Sequence, residues 1–377
     1  MDDIKPVKTI ILSNNDRFYF SGKFDEKHIE ELIGEAKNLY ASIRDIPILP
    51  NKASQIEEEI MVKSIHGTAA IEGNPLSEND VNIILTKSDQ IRGNRRAQQE
   101  IVNLKALYQY LKKAENYKMP TEELVLTFQE LVTKNISDSE DISGKIRSAP
   151  VKVGDESHGG TYRPPTKSSD IKKLLSMYFE FLNSKEILAL DPIIRAALAH
   201  YHLALIHPFK DGNGRTARFL EAYIIQSAGI KYIPVLLSNY YYRHMDDYYW
   251  AFSLSEKNKE RDITPFIEFV YKGVVDSLLY MKEYTYAFIR VVFLQQHYSN
   301  LKTNGIVSPR QYNLLMTWLS YPQSISFADI MTNPQFLIIY TKVSPRTVQR
   351  DLKKLTAMNL LKKNEDGTYE LNLRALG

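Results

Sequence analysis

Not one of the 377 residues is a cysteine, which excludes a disulfide framework and any thiolate metal site, so a bound metal must take oxygen or imidazole ligands. Charge of one sign is also scarce: 48 Lys and Arg against 45 Asp and Glu leave a net +3, too little for the whole chain to seek nucleic acid or a membrane surface. Long apolar runs are missing as well. The most apolar helical stretch, Ile193 to Phe209, is interrupted by Arg195, His200, His202 and His207, so no membrane span is expected. The amino end, Met1-Asp2-Asp3, offers only the short apolar stretch Thr9 to Leu12, so no export signal is expected and the setting is read as cytoplasmic.

What is present is the composition of a globular protein, 44% apolar and 25% charged, in a chain long enough for two or three cores. Helical spacing dominates the first part. Ile29, Leu32, Ile33, Ala36, Leu39, Tyr40 and Ile43 recur every three to four residues until Pro47 and Pro50 break the pattern. A second helix is expected from about Ser54 to Ala70, ended by Gly73-Asn74-Pro75, and Ser77 caps a third with Asp80 at the capping-box position. Further helices are expected at about Arg95–Lys113, Thr121–Lys134, Ser169–Leu182, from Asp191 to His207, and Arg215–Ala228. Between them, from Asp141 to Thr166, the turn-rich Gly and Pro pattern predicts an exposed β-hairpin.

The segment His207 to Arg218 carries the chemistry. Gly212 and Gly214 let the backbone turn tightly, so that the free amides opening the next helix converge on one space, and such amides attract anions. Arg215 and Arg218, three apart, add two guanidiniums to that side. Asp211 is a hard oxygen ligand of the kind Mg²⁺ uses alongside phosphate oxygens. His207, at the end of the apolar helix, supplies an imidazole as general base. Phosphoryl or nucleotidyl transfer is the reaction class these groups suit. His200 and His202 are two apart and so face different ways on a helix, which argues for core roles over a zinc site.

This segment, His-Pro-Phe-x-Asp-Gly-Asn-Gly-Arg-x-x-Arg, resembles the Fic family motif at every defined position. The resemblance covers about residues 30 to 280 and implies a mainly α, Fic-type helical bundle with a β-hairpin flap. It implies a protein adenylyltransferase that moves AMP from ATP to a Ser, Thr or Tyr hydroxyl of a target protein or of itself. His207 would take the proton, Asp211 would hold Mg²⁺, Gly212, Asn213, Gly214 and Arg215 would bind the α and β phosphates, and Arg218 would grip the γ phosphate. Thr68-Ala69-Ala70-Ile71-Glu72-Gly73 resembles the family's inhibitory motif, with Glu72 pairing to Arg218. The segment 145–163 resembles the family's flap, which pairs with an extended target segment. By a looser alignment Asn239 and Tyr240 would contact adenine. The tyrosine-dense run from Tyr240 to Trp250 lines a pocket or packs between helices.

The last part reads as helix, helix, hairpin, the order of a winged-helix domain, with Asn364-Glu365-Asp366-Gly367 as the hairpin turn. The expected organisation is 1–115 as an N-terminal region with the inhibitory helix, 116–284 as the catalytic core and 285–377 as the winged helix. Lys342, Arg346, Arg350, Lys353, Lys354, Lys362 and Lys363 form a basic stripe, so contact with DNA through 342–363 stays open, as does a homodimer. Two rivals to AMP transfer also stay open: a DNA-binding transcriptional regulator whose pocket senses nucleotide, and removal of AMP or transfer of phosphate at the same site.

Overall fold

A computed structural model describes residues 7–44, 46, 50–86, 94–112, 119–136, 143–231, 233–341 and 343–375. Contacts divide the chain into two compact units, Met1–Met281 and Lys282–Gly377.

The first unit opens with an element that the helical reading of the sequence missed. Strands β1 (Val7–Ile11) and β2 (Arg17–Ser21) pair antiparallel, Val7 opposite Ser21 and Ile11 opposite Arg17. The alternation was there to be read: Phe18 and Phe20 point inward, and the turn passes through Asn15 at φ 66. Phe20 lies 5.7 Å from the ring of Phe181, so the hairpin is held by core packing.

Helix α1 (Glu26–Arg44) buries Ile29, Ala36 and Ile43 at seven-residue intervals, one face of the helix. Helix α2 (Pro50–Ile71) ends where expected, at Gly73 with φ 83. It presses against the later helix that carries Asn239: a Cβ on Gly67 would lie 2.8 Å from the Cα of Asn239, so only glycine permits this approach. Helix α3 (Glu78–Thr86) starts on the expected capping box, with the Asp80 amide 3.2 Å from the Ser77 hydroxyl and that hydroxyl donating to the Asp80 carboxylate at 2.6 Å. Helices α4 (Arg95–Lys112) and α5 (Glu122–Thr133) follow, and their buried faces join Tyr108 and Phe128 to Phe219 through edge contacts at 4.9 and 5.8 Å.

The expected exposed hairpin is the largest departure. Over 143–166 the two arms join through one bridge, Val153 with Tyr162, and a short 3-10 turn at Glu156–His158 forms the tip. Gly154, Gly159 and Gly160 all take positive φ, and the Asp155 carboxylate captures the amides of Ser157 and His158, so turn geometry replaces a strand ladder. Its base is buried, with Arg147 4% exposed. Residues 141 and 142, where this stretch was expected to begin, lie outside the described residues.

Helices α6 (Ser168–Leu182) and α7 (Lys185–Leu188) lead to α8 (Pro192–Ile206), capped by Asp191 with Pro192 in the first turn. Helix α8 is buried nearly all round and packs along α9 (Asn213–Ser227). Helices α10 (Ile233–Arg243), α11 (Met245–Lys257) and α12 (Thr264–Thr303) complete the set. Among the described residues no helix is long and apolar enough to cross a membrane.

In the second unit, α13 (Pro309–Ser320), the short α14 (Phe327–Thr332) and α15 (Pro334–Leu337), and α16 (Pro345–Ala357) enclose Trp318, Leu352 and Leu355. Strands β3 (Leu361–Lys363) and β4 (Tyr369–Leu371) form the closing hairpin, to which Ile325 bridges at Tyr369. Asp351 is buried and accepts bonds from Arg310 and Gln311, both at 2.8 Å. On the other face Arg346, Arg350 and Lys353 are exposed, with Lys362 and Lys363 exposed on β3. Lys354 donates to the Ile306 carbonyl, and Lys342 lies outside the described residues.

Candidate active site

Two helices meeting end to end build the site. Helix α8 stops at His207, whose φ of 48 turns the chain sharply. Pro208 follows and Phe209, wholly buried, pins the loop. Asn213 closes it: its carboxamide donates to the Phe209 carbonyl at 2.8 Å and accepts the Phe209 amide at 2.9 Å. That side chain is thereby occupied, so towards an anion Asn213 presents its backbone amide. Gly212, at φ 80, sets up the first turn of α9, whose opening amides have no carbonyl of their own helix to bond.

Arg147, which the sequence gave no reason to choose, holds this junction together. It is a lone arginine in a loop, and only the fold reveals its partners. Its side chain donates to His207 O at 2.7 Å, Ala149 O at 2.9 Å and Pro165 O at 2.6 Å, and its amide reaches Pro208 O at 2.9 Å. A cation on the carbonyl end of α8 also opposes the helix dipole. One buried guanidinium therefore ties both arms of the flap to the turn that carries His207.

The imidazole of His207 places Nδ1 3.2 Å from the Ala204 carbonyl, which assigns the proton to Nδ1 and leaves Nε2 bare. Burial lowers its pKa to about 4; the Ala204 bond pulls the other way, Arg147 adds to the depression, and Glu72 opposes it. A neutral imidazole with a free Nε2 is the form a general base requires.

Arg218 is buried and engaged through Nε and Nη2. Its guanidinium donates to the Glu72 carboxylate at 2.7 Å, the Thr68 hydroxyl at 2.9 Å and the Thr68 carbonyl at 3.2 Å. Burial alone would raise the Glu72 pKa, but Arg218, Arg215 and the Arg218 hydrogen bond outweigh it and hold the carboxyl below its usual value. A Cβ on Gly214 would collide with Glu72 Oε1, so the carboxylate lies directly on the first turn of α9. Glu72 thus lies against the first turn of α9 and pairs with Arg218 of the same helix.

Arg215 turns the other way. It reaches Asp211 Oδ1 at 2.9 Å and Glu100 Oε1 at 3.9 Å, and its side chain does not line the cavity beside Arg218. Asp211 Oδ1 also accepts the Gly212 amide at 2.6 Å, while among the described residues Oδ2 is met by Arg96 at 3.6 Å. Like the Arg215 side chain, Asp211 does not line that cavity, so Mg²⁺ at this carboxylate would have to be held mainly by water and phosphate; among the described residues no group of three or more His, Cys, Asp or Glu forms a complete metal site.

A cavity of about 240 Å³ runs from His207, Gly214 and Arg218 to Tyr248, Tyr249 and Glu256 on α11, with the flap across it. Asn239 and Tyr240 do not line it. Tyr240 instead stacks on His244 with ring centroids 4.4 Å apart, and the backbone of Asn239 packs on α2. The tyrosine run divides by helical phase: on α10 Tyr240 and Tyr241 pack into the core while Tyr242 is exposed, and on α11 Tyr248 and Tyr249 face the cavity. His200 bonds Glu221 at 3.1 Å and Tyr248 at 3.0 Å. His202 reaches the Ser21 carbonyl at 2.8 Å, and burial lowers its pKa to about 4. Each is a core histidine with its own partners.

Residues 119–225 match the model of the Fic/DOC family. The chain is 32% identical over 213 residues to the protein adenylyltransferase fic-1 of Caenorhabditis briggsae, covering 55% of this chain and 38% of that protein. It is 29% identical over 249 residues to the protein adenylyltransferase Fic of Aedes aegypti, covering 65% and 46%. The chain thus spans less than half the length of these curated relatives. Among solved structures, a Fic family protein of Desulfovibrio desulfuricans G20 aligns with TM-score 0.57 at 19% identity, over 91% of this chain and 95% of that one. Fic-1 of Caenorhabditis elegans aligns with TM-score 0.55 at 25% identity, over 69% and 73%.

Proposed function

We propose that this chain, whose residues 119–225 are a Fic domain, transfers AMP from ATP to a Ser, Thr or Tyr hydroxyl of a protein, itself included, and that Glu72 restrains it. The observation that carries this reading is the bare Nε2 of a neutral His207 in one cavity with Gly214 and Arg218. Relatives named protein adenylyltransferases support the same class.

In this reading ATP lays its α and β phosphates on the amides of Asn213, Gly214 and Arg215 and its γ phosphate on Arg218, once Glu72 has withdrawn. The target hydroxyl oxygen attacks the α phosphorus while its proton passes to His207 Nε2. The bond from the α phosphorus to the bridging oxygen breaks, and pyrophosphate leaves. Asp211 is the residue that would hold Mg²⁺, which neutralises phosphate charge when bound. Arg215 keeps that carboxylate in place, and the flap, anchored by Arg147, presents an edge at Val153 to Tyr162 beside the cavity for an extended target segment.

The rival reactions, phosphate transfer and removal of AMP, use the same groups, and labelled substrate separates them. Incubated with α-labelled and with γ-labelled ATP in turn, the protein is expected to retain label on protein from the α position alone. Retention of γ label would assign phosphate transfer.

The second unit supports a separate reading, contact with duplex DNA. Val348, Leu352 and Leu355 point into the core, so α16 presents Arg346, Arg350 and Lys353 outward as one basic face beside Lys362 and Lys363. Binding to a random-sequence duplex is expected to weaken by orders of magnitude between about 50 and 200 mM salt. An Arg346→Glu, Arg350→Glu variant that binds as well as the parent would end this reading.

A further inference from the structure

The cavity has two chemically different ends. Gly214, Arg218 and His207 make one; Tyr249, Phe252 and Glu256 of α11, facing Tyr162 of the flap, make the other. The first receives phosphate in the reading proposed above, on which this inference rests. The remainder of a nucleotide must then extend towards the second. Aromatic faces there can stack on any base, since every base has a π-face, so they cannot tell one from another. Discrimination needs a polar group at the edge of the base.

Glu256 is such a group. It is half-buried at the wall between this cavity and a smaller neighbouring one, and among the described residues no hydrogen bond or ion pair engages its carboxyl. Burial raises its pKa, opposed by the charges of Lys257 and Arg261. A carboxyl left unpaired against aromatic walls is costly, and a ligand carrying N–H donors removes that cost. Guanine offers two parallel donors, N1–H and the N2 amino group, which one carboxylate accepts together. Adenine offers the N6 amino group beside the bare N1, so a carboxylate gains one bond from it.

We propose that Glu256 reads the nucleobase in this cavity and admits guanine, making GTP a nucleotide substrate alongside ATP. Glu256→Gln keeps the shape but replaces one acceptor by a donor, the pairing that suits adenine. The test measures the binding of fluorescent N-methylanthraniloyl ATP and GTP to the full chain carrying Glu72→Gly, with and without Glu256→Gln. The ratio of GTP to ATP affinity is expected to fall about tenfold on substitution, the size of one good charge-assisted bond. Glu256→Asp, which draws the carboxyl back by one methylene, is expected to lower the same ratio, so the inference stays testable if the Gln variant misfolds. α-Labelled GTP is expected to mark protein in the Glu72→Gly chain. An unchanged affinity ratio in the folded variants, or protein label from ATP with none from GTP, overturns this inference and leaves the reading of the phosphate end standing. No binding of either nucleotide to the Glu72→Gly chain overturns both.

Discussion

Replacing Glu72 by Gly is expected to raise the rate of AMP transfer at least tenfold. The carboxylate does two things at once: it accepts the Arg218 bond at 2.7 Å, and it lies on the Gly214 turn. A γ phosphate must displace it from both and would meet like charge if it stayed. A hydrogen bond between charged groups contributes about 1.5–3 kcal/mol, or roughly ten- to a hundredfold. The Glu72 side chain is 28% exposed, so water screens part of the attraction and the lower end of that range applies. The residue sits just past the end of α2, so the helix should survive, while the melting temperature should fall because Arg218 stays buried without its counter-charge. Equal transfer rates for the parent and Glu72→Gly, measured with α-labelled ATP, would refute the restraint.

Removing the imidazole has the larger effect and the opposite sign. In the Glu72→Gly background, His207→Ala is expected to lower transfer by about 10²–10⁴ while nucleotide binding persists, because the side chain acts on the attacking hydroxyl and the phosphates rest on amides and Arg218. Position 207 has φ 48, where Ala is strained and Asn is not, so His207→Asn serves as the partner variant. Arg147 bonds the backbone oxygen of 207 and keeps the turn in both. The pH profile gives a second readout. Because burial lowers the imidazole pKa to about 4 from its ordinary 6.5, the base form is present above about 4 and is lost only as pH falls through it. The rate should therefore show no histidine step between pH 8 and 5. A step centred near 6.5 that His207→Asn removes would place the imidazole in water, against the geometry seen here.

The geometry of the run from His207 to Arg218 was legible because it is local: a helix end, two glycines and a helix start fix their own path within twelve residues. The same held for the Ser77 cap and the Gly73 stop, where one side chain or one φ decides the matter. The pairing of Glu72 with Arg218, 146 positions apart, was reached from the sequence through family resemblance, since spacing carries no such information. The flap was harder. Its Gly and Pro residues announced turns, but how many bridges its arms would make depended on Asp155 taking amides that a strand would have paired.

From its sequence alone this chain was bound to be mainly helical, without cysteine chemistry, and to carry a glycine turn opening a helix beside a histidine. Tertiary packing decided which tyrosines meet the cavity, that the Asn213 carboxamide is occupied by its own loop, and that Arg147 joins flap to base. It also set the protonation of His207 and, among the described residues, left the Glu256 carboxyl without a hydrogen-bond partner. The division follows from range: turns and caps are settled by forces acting within a few residues, whereas burial, and with it the charge state of a buried group, depends on whatever distant segment covers it.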